Sequence, residues 1–493
     1  MNRTYLSNRC FYLACLIVWA LYPLGLAASQ PLSLHPENPH YFLFRGKPTL
    51  IITSGEHYGG VLNLDFDYVK YLKTLKQDGL NGTRTWSGAY CESAADFNIS
   101  HNTLAPLAGR FICPWGRSEQ PGYTNGGNKF DLTKWDEKYF KRLKDFLSHA
   151  RKNGVIVELN LFCPFYEESM WQLSPMNARN NVNGIGAIAR TNVYTLEKNG
   201  GLLAVQESMV RKIVTELKGF DNLYYEICNE PYFGGVTLEW QHHIADIITD
   251  VGRAMGVRHL ISQNIANFKD KIEKPHPGVS IFNFHYATPP ETVALNFGLN
   301  KVIGDNETGF RGTNGAPYRM EGWDFIVAGG GLFNNLDYSF IAGHEDGTFV
   351  FPASQPGAGS PELRGQYRFL SQVINKLDFI HMRPENDIVK AELPSGASVR
   401  ALVRAGKDYL IYIRTGLGGE KENAQRKTKF ATGEIPLQVT LPAGEFTTDW
   451  LDTKTGSSLR REKFSHTGGQ GTLPNPGFEE DIALMIQRVG SGD

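Results

Sequence analysis

The sequence predicts an α/β architecture: a (β/α)8 TIM barrel followed by a smaller antiparallel β-sandwich. Three observations predict it. Between about residues 35 and 380, eight strand-like runs alternate with amphipathic helical patterns. Most of those runs are continuously apolar, as parallel strands buried on both faces are. After about residue 383 the texture changes to short alternating runs divided by Gly, Pro and Asp turns. A chain of 493 residues exceeds one typical domain, and the expected boundaries are 1–30 for a leader, 31–382 for the barrel and 383–493 for the sandwich.

The leader comes first. Arg3 and Arg9 precede an apolar, uncharged run over 10–26, and Ala27, Ala28 and Ser29 follow it. This is the layout of a signal peptide, which implies a secreted or periplasmic protein with no membrane association after cleavage. The alternative, a membrane anchor, is weakened by Pro23 and Gly25 within the run and by the lack of a basic cluster after it.

The barrel strands are expected at 49–55, 80–86, 154–163, 223–230, 259–264, 280–286, 301–307 and 331–338. Helices lie between them. Tyr68, Val69, Leu72 and Leu75 share one helical face, and Tyr139, Leu143, Phe146, Leu147 and Ala150 share another. Residues 202–217, 238–255 and 365–379 repeat the pattern, and Gly79, Gly154 and Gly219 stand where helix C-caps belong. An open doubly wound sheet would want a GxGxxG loop after its first strand, and 54–60 (SGEHYGG) does not supply one. The sandwich strands are expected at 387–393, 398–404, 408–414, 437–441, 445–451 and 481–488, with a polar, Gly-rich loop at 415–430.

Two loops are long, 87–132 after strand two and 164–200 after strand three. Both leave the C-terminal ends of strands, the face where barrel sites are built. They carry Tyr90, Trp115, Trp171 and the amides Asn177, Asn180, Asn181 and Asn183, equipment for neutral polyols.

Composition narrows the partners. Fifty Lys and Arg nearly cancel 51 Asp and Glu, which argues against nucleic acid or an anionic membrane. Apolar residues at 41% and charged residues at 20% exclude a disordered, collagenous or multi-span chain. Aromatics at 12% suit stacking on flat apolar faces such as sugar rings. Beyond the leader, Cys91, Cys113, Cys163 and Cys228 allow three pairings. Cys91 and Cys113 share a loop that a disulfide could staple, whereas Cys163 and Cys228 read as small buried hydrophobes. None has zinc-site spacing, and no HExxH or Asp-rich loop points to another metal, so neither metal nor cofactor is expected.

Two motifs carry chemistry. Ile227-Cys228-Asn229-Glu230-Pro231 ends strand four, and Gly304-Asp305-Asn306-Glu307-Thr308-Gly309 ends strand seven. Strands four and seven face each other across a barrel mouth, so two carboxyls meet over one pocket. A protonated and an ionised carboxyl flanking one bond are what glycoside hydrolysis needs. A partly apolar cleft is expected to raise the Glu230 pKa and keep its proton on. Glu226, four residues upstream, reads as a buried structural partner.

These motifs resemble glycoside hydrolase clan A, the cellulase-like retaining barrels. LYYEICNEP at 223–231 is similar to the clan's acid/base motif, and KVIGDNETG at 301–309 to its nucleophile strand. The resemblance implies a retaining β-glycosidase with Glu307 as nucleophile and Glu230 as acid/base, acting as a monomer on a polysaccharide or oligosaccharide, β-glucan above others. It also implies that Arg84 holds the nucleophile, that Asn229 binds a sugar 2-hydroxyl, that Tyr286 orients Glu307 and that His285 binds a hydroxyl. Asn160 stands where many cellulases have histidine, and strand eight lacks their tryptophan, a role left to Asn335, Tyr338 or Trp171. Glu56 and His57 end strand one and read equally as substrate contacts or as a structural pair. The alternatives are a glycan-binding protein on a non-catalytic barrel and a transglycosylase of the same clan. The C-terminal sandwich reads as a structural lid, because Trp450 sits in a core-like alternating run.

Overall fold

The computed structural model describes residues 1, 30–393, 395–416 and 436–490. The expected leader and most of the expected loop at 415–430 lie outside the described residues.

Eight parallel strands form the barrel: Ile51–Gly55, Gly82–Trp86, Ile156–Phe162, Leu223–Cys228, Ile261–Asn267, Ile281–His285, Val302–Glu307 and Leu332–Leu336. Strand one pairs with eight, and the order then runs back to strand two at the other side of the seam. Side chains close that seam. Asn81 Oδ1 accepts from the Ile52 amide at 3.0 Å, Asn81 Nδ2 donates to the Leu50 carbonyl at 2.7 Å, and the Thr53 hydroxyl donates to the Gly82 carbonyl at 2.6 Å. Gly82 has no room for a side chain, since a Cβ there would meet Ile51 Cγ2 at 2.6 Å. All eight strands are buried or nearly so along their length, which explains their continuous apolar runs.

A small antiparallel sheet (Ser33–Leu34, Phe42–Phe44 and Lys47–Thr49) precedes the barrel. Its Phe42 and Phe44, with Leu32, pack on Ile51, Ile156, Tyr224, Ile281, Val302 and Leu332, plugging the N-terminal end of the barrel. That leaves the C-terminal end for a site.

Amphipathic helices wrap the outside. Asp67, Asp136, Thr237 and Ser360 accept backbone N–H groups at the starts of helices Tyr68–Gln77, Glu137–Asn153, Leu238–Ala254 and Pro361–Ile374. Gly154 ends the second in the left-handed conformation, at φ 73°. In the first helix the buried face is Tyr68, Tyr71, Leu72 and Leu75, and Val69 is exposed instead. The spacing 68, 71, 72, 75 keeps one face, and Val69 lies off it.

The C-terminal domain is an antiparallel β-sandwich built from a seven-stranded sheet. Its strands Ser398–Arg404, Asp408–Arg414 and Asp481–Arg488 bury both faces in part. Ala401, Val403, Ile411, Ile413, Ile482, Leu484 and Trp450 form the domain's own core, while Leu402, Leu410, Tyr412, Ala483 and Met485 join the core of the barrel. Tyr412 stacks on Trp323 of helix Gly315–Val327, with ring centroids 5.6 Å apart. Arg319 on that helix reaches Asp481 at 2.6 Å and Glu480 at 2.7 Å. The two runs at 437–441 and 445–451 are one strand, Leu437–Leu451. Its partner Ser458–Leu473 carries no apolar alternation because it is largely exposed, and so it left no trace in the hydrophobic pattern.

The four described cysteines are free and buried. Cys91 does not staple the loop to Cys113; its thiol lies 3.8 Å from the Tyr123 hydroxyl, and the Cys113 thiol points at the Trp115 carbonyl. No described helix is long and apolar enough to cross a membrane.

Candidate active site

At the C-terminal end of the barrel lies a cavity of about 220 Å³ whose lining includes His57, Asn229, Glu230, Tyr286 and Glu307. The chain bends sharply to build it. Tyr58, Phe97, Glu230, Tyr286 and Phe310 all line it with positive φ, from 35° to 61°. Side chains of this kind avoid that region, at a cost on the order of 1–3 kcal/mol each, and such strain gathers where side chains must be aimed. The ladders also slip beside the site, at Asn264/Ala266 between strands five and six and at Phe284/His285 between six and seven. Bulges of this kind re-aim side chains at strand ends.

Donor oxygens of Glu230 and Glu307 and a ring nitrogen of His285 lie within 4.8 Å of one another. His285 Nδ1 is 3.1 Å from Glu230 Oε1 and 3.6 Å from Glu307 Oε2. Tyr166 donates to Glu230 Oε2 at 2.6 Å, and Tyr232 to Oε1 at 3.2 Å. On the other carboxylate, Arg84 Nη1 donates to Oε2 at 3.0 Å, Tyr286 to Oε1 at 2.9 Å and Tyr58 to Oε2 at 3.4 Å. Donors therefore surround both carboxyls, and each stands with its own set. Among the described residues this trio is also the group whose atoms converge as ligands of a cation would. The Arg84 guanidinium already supplies the positive charge against Glu307.

Burial pushes the Glu230 carboxyl up, but the hydrogen bond and charge of His285, with the Tyr166 and Tyr232 hydroxyls, outweigh it and hold the carboxyl below its ordinary value. The apolar-cleft expectation for Glu230 is thereby reversed. Burial likewise works against a charged His285, and the Glu307 charge with the Glu230 hydrogen bond overcomes it, so the imidazole holds its proton above its usual range. The proton resides on the pair, with His285 keeping it beside Glu230.

Arg84 is buried beneath the site and saturated. Nε reaches Glu158 at 2.5 Å, Nη2 bonds Glu226 and also Asn229 Oδ1 at 2.7 Å, and Nη1 takes Glu307. Glu226 is held further by Asn160, Ser262, Asn283 and Asn306. Burial and the Glu226 charge push Glu158 up to about 7. The layer below the cavity is thus a polar network with Arg84 at its centre.

The expected residues fall into two groups. Arg84, Asn229, Glu230, His285, Tyr286 and Glu307 converge, and His57 lines the same cavity. Asn160, Trp171 and Glu56 do not line it. Asn160 lies one layer down, tied to Glu226. Trp171 is fully buried against Phe165 and donates to the Ile188 carbonyl at 3.0 Å. Glu56 is turned into its own loop, accepting from the Gly59 and Gly60 amides and Thr103, and burial pushes its carboxyl up to about 7. The loop amides likewise face inward: Asn180 donates to the Gln172 and Ser174 carbonyls and Asn181 to the Asn177 and Ile185 carbonyls. Of the candidates for the missing strand-eight tryptophan, Tyr338 lines the cavity, whereas Asn335 is buried against Thr308 and Ser54. Sequence reasoning missed Tyr58, Trp86, Glu92, Tyr166, Tyr232 and Phe233. The triplet Tyr166, Tyr232 and Phe233 follows strands three and four directly, and that position was the available signal.

Residues 74–286 match the family model of cellulases of glycosyl hydrolase family 5. Among solved structures, the chain is similar to one described as a putative glycoside hydrolase from Bacteroides vulgatus, with a TM-score of 0.62 at 14% identity over 94% of this chain and 83% of that one. It is also similar to a glycoside hydrolase family 5 structure from the same organism, with a TM-score of 0.61 at 12% identity over 93% of each chain. At such identities the likeness is one of fold. No curated protein matches the chain in sequence.

Proposed function

We propose, on the premise that this chain is a glycosidase with a clan A, family-5-type barrel, that it is a secreted retaining β-glycoside hydrolase acting on β-linked glycans, with β-glucan as the first substrate to try. The observation that carries the proposal is the approach of the Glu230 and Glu307 carboxyls to within 4.8 Å. Retaining enzymes hold the pair about 5–5.5 Å apart, and inverting ones leave about 6.5–9.5 Å for a water between them.

In the first step Glu307 attacks the anomeric carbon. The bond to the leaving oxygen breaks, and that oxygen takes the proton of the Glu230–His285 pair through Glu230. In the second, Glu230 removes a proton from water, whose oxygen attacks the anomeric carbon on the face that the leaving group vacated, opposite Glu307, and so displaces Glu307. Arg84, Tyr286 and Tyr58 stabilise ionised Glu307 and fix its direction. Asn229, oriented by Arg84 and donating to Tyr166 at 2.9 Å, stands where a sugar 2-hydroxyl is to be met. The double displacement balances with two carboxyls and water, so the proposal names no cofactor. Secretion rests on the leader pattern over 1–30.

The test is release of sugar from β-1,3-, β-1,4- and mixed-linkage glucans, mannan and xylan, with Glu307→Gln in parallel. The expected outcome is turnover of one class, reduced by several orders of magnitude in the variant. Turnover by Glu307→Gln equal to that of the unmodified enzyme would remove Glu307 from the mechanism. A chain that binds these polymers without turning them over would favour the non-catalytic reading. Products longer than the substrate would favour transglycosylation.

A further inference from the structure

We infer that the cavity is a blind pocket for one terminal, uncharged sugar, with Glu92 and His57 as its end wall, so that hydrolysis removes single residues from a chain end. The inference rests on the retaining reading above.

Size comes first. A cavity of about 150 Å³ takes one benzene ring, so a space of about 220 Å³ is of the order of one pyranose ring with its hydroxyls.

The two ends of the cavity differ. The glycone end is the one bonded to Glu307, because that carboxylate attacks the sugar that is kept. There Tyr58 contacts Glu307, and the His57 ring is sandwiched between Tyr58 and Tyr338, 5.4 Å from each. Behind it stands Glu92, 4% exposed, held by the Tyr90 hydroxyl at 3.0 Å and the Asn102 amide at 2.5 Å. His57 Nε2 is 3.6 Å from Glu92 Oε2, too far for a hydrogen bond, and neither ring nitrogen has a hydrogen-bond partner. Both ring nitrogens are also shut off from the cavity, so His57 builds the wall through its stacked ring, and Glu92 is the charged group that a sugar hydroxyl would meet there. The leaving-group end is the one bonded to Glu230. Its mouth carries Phe97 and Phe233, 44% and 43% exposed, and a chain can leave across their faces.

The wall is fixed. It belongs to the long loop after strand two, and that loop is nailed to the end of strand one. Thr103 Oγ1 lies 2.7 Å from both Glu56 Oε2 and the His57 carbonyl, and Asn63 donates to the Thr103 carbonyl at 3.1 Å. The contact is so close that a Cβ on Gly59 would meet the Thr103 carbonyl oxygen at 2.1 Å. A second sugar beyond the glycone would have to displace this loop.

Charge sets the sugar. Among the described residues Glu92, Glu230 and Glu307 line the cavity, and no Lys or Arg does. Arg84 is spent on the carboxylates beneath. A uronate or sulfated ring would face uncompensated repulsion in a buried site, and a neutral ring would not.

The experiment uses full-length mature protein, reduced β-glucan pentasaccharides of each linkage, and 4-nitrophenyl β-glucoside beside 4-nitrophenyl β-glucuronide. The expected first products are glucose and the alditol one residue shorter, with the glucuronide untouched. Glu92→Gln, checked for an unchanged melting temperature, is expected to lose about tenfold in kcat/KM on the glucoside, the effect of one weakened hydroxyl contact. His57→Asn, which removes the stacked ring from the wall, is the second variant, and a loss in kcat/KM on the glucoside is expected there too. Internal cleavage products, or both variants leaving kcat/KM unchanged, would overturn the inference. If Glu307→Gln still abolishes that internal cleavage, the retaining reading survives. Full activity in Glu307→Gln defeats the retaining reading and the inference together.

Discussion

His285 Nδ1 lies 3.1 Å from Glu230 Oε1, close enough for one proton to serve both groups. The imidazole is held above its ordinary value of 6.5 and the carboxyl below its ordinary value of 4.5. On the proposed mechanism the enzyme is competent while the pair keeps that proton. The basic limb of kcat/KM is therefore expected above pH 6.5, where the pair loses it. His285→Gln is expected to shift that limb while the acidic limb stays. A pH–rate profile of both forms checks this, and identical basic limbs would remove His285 from the proton's path.

Arg84 is bound to three buried carboxylates at once. Arg84→Met leaves Glu158 and Glu226 buried without their cation, which costs about 3–5 kcal/mol. The expected result is a lower melting temperature together with a loss in kcat. A variant inactive at unchanged melting temperature would show that Arg84 serves Glu307 alone.

Glu56 is buried, and its carboxyl is pushed up to about 7 from 4.5. A folded value above the unfolded one means that the folded state holds the extra proton. Its contribution to stability is full below about pH 4.5 and is lost as pH rises through 7. Glu56→Gln, which cannot ionise, is expected to flatten this part of the stability curve. Denaturant midpoints at pH 5 and pH 8 measure it, and equal slopes in both proteins would contradict it.

The sandwich is fastened to the barrel through buried ion pairs. Besides Arg319 with Asp481, Arg414 reaches Asp324 at 2.8 Å, and Tyr412 donates to Asp481 at 2.9 Å. Asp481→Leu leaves Arg319 buried with only Glu480, and a loss of about 3–5 kcal/mol is expected. Trp450, fully buried in the domain core, offers no sugar-stacking platform. The same variant should therefore lower stability without changing KM on soluble substrate.

How much of this was legible in sequence depended on the kind of signal. The barrel strands were readable because burial on both faces makes a run continuously apolar, and Glu230 and Glu307 because each ends such a run. Arg84 and Asn160 sit in similar runs, and nothing local distinguishes the one that reaches Glu307 from the one that stops a layer below. Strand Ser458–Leu473 was invisible because exposure on both faces erases the period of two. Trp171, Asn180 and Asn181 read as ligand-binding by residue type, yet they donate to the loop's own carbonyls. Composition cannot say which way an amide points. Tyr166 was marked by its place just after strand three, whereas Glu92 lies inside a long loop, held by Tyr90 and Asn102, where no period or strand end points to it.

The central claim is that Glu307 becomes covalently bonded to the sugar. The most direct measurement is trapping with an activated 2-deoxy-2-fluoro-β-glycoside of the preferred sugar, followed by intact mass and peptide mapping. The account predicts one added glycosyl unit, attached to Glu307 and absent in Glu307→Gln. A label on another residue, or a first-formed product of inverted anomeric configuration, would contradict it.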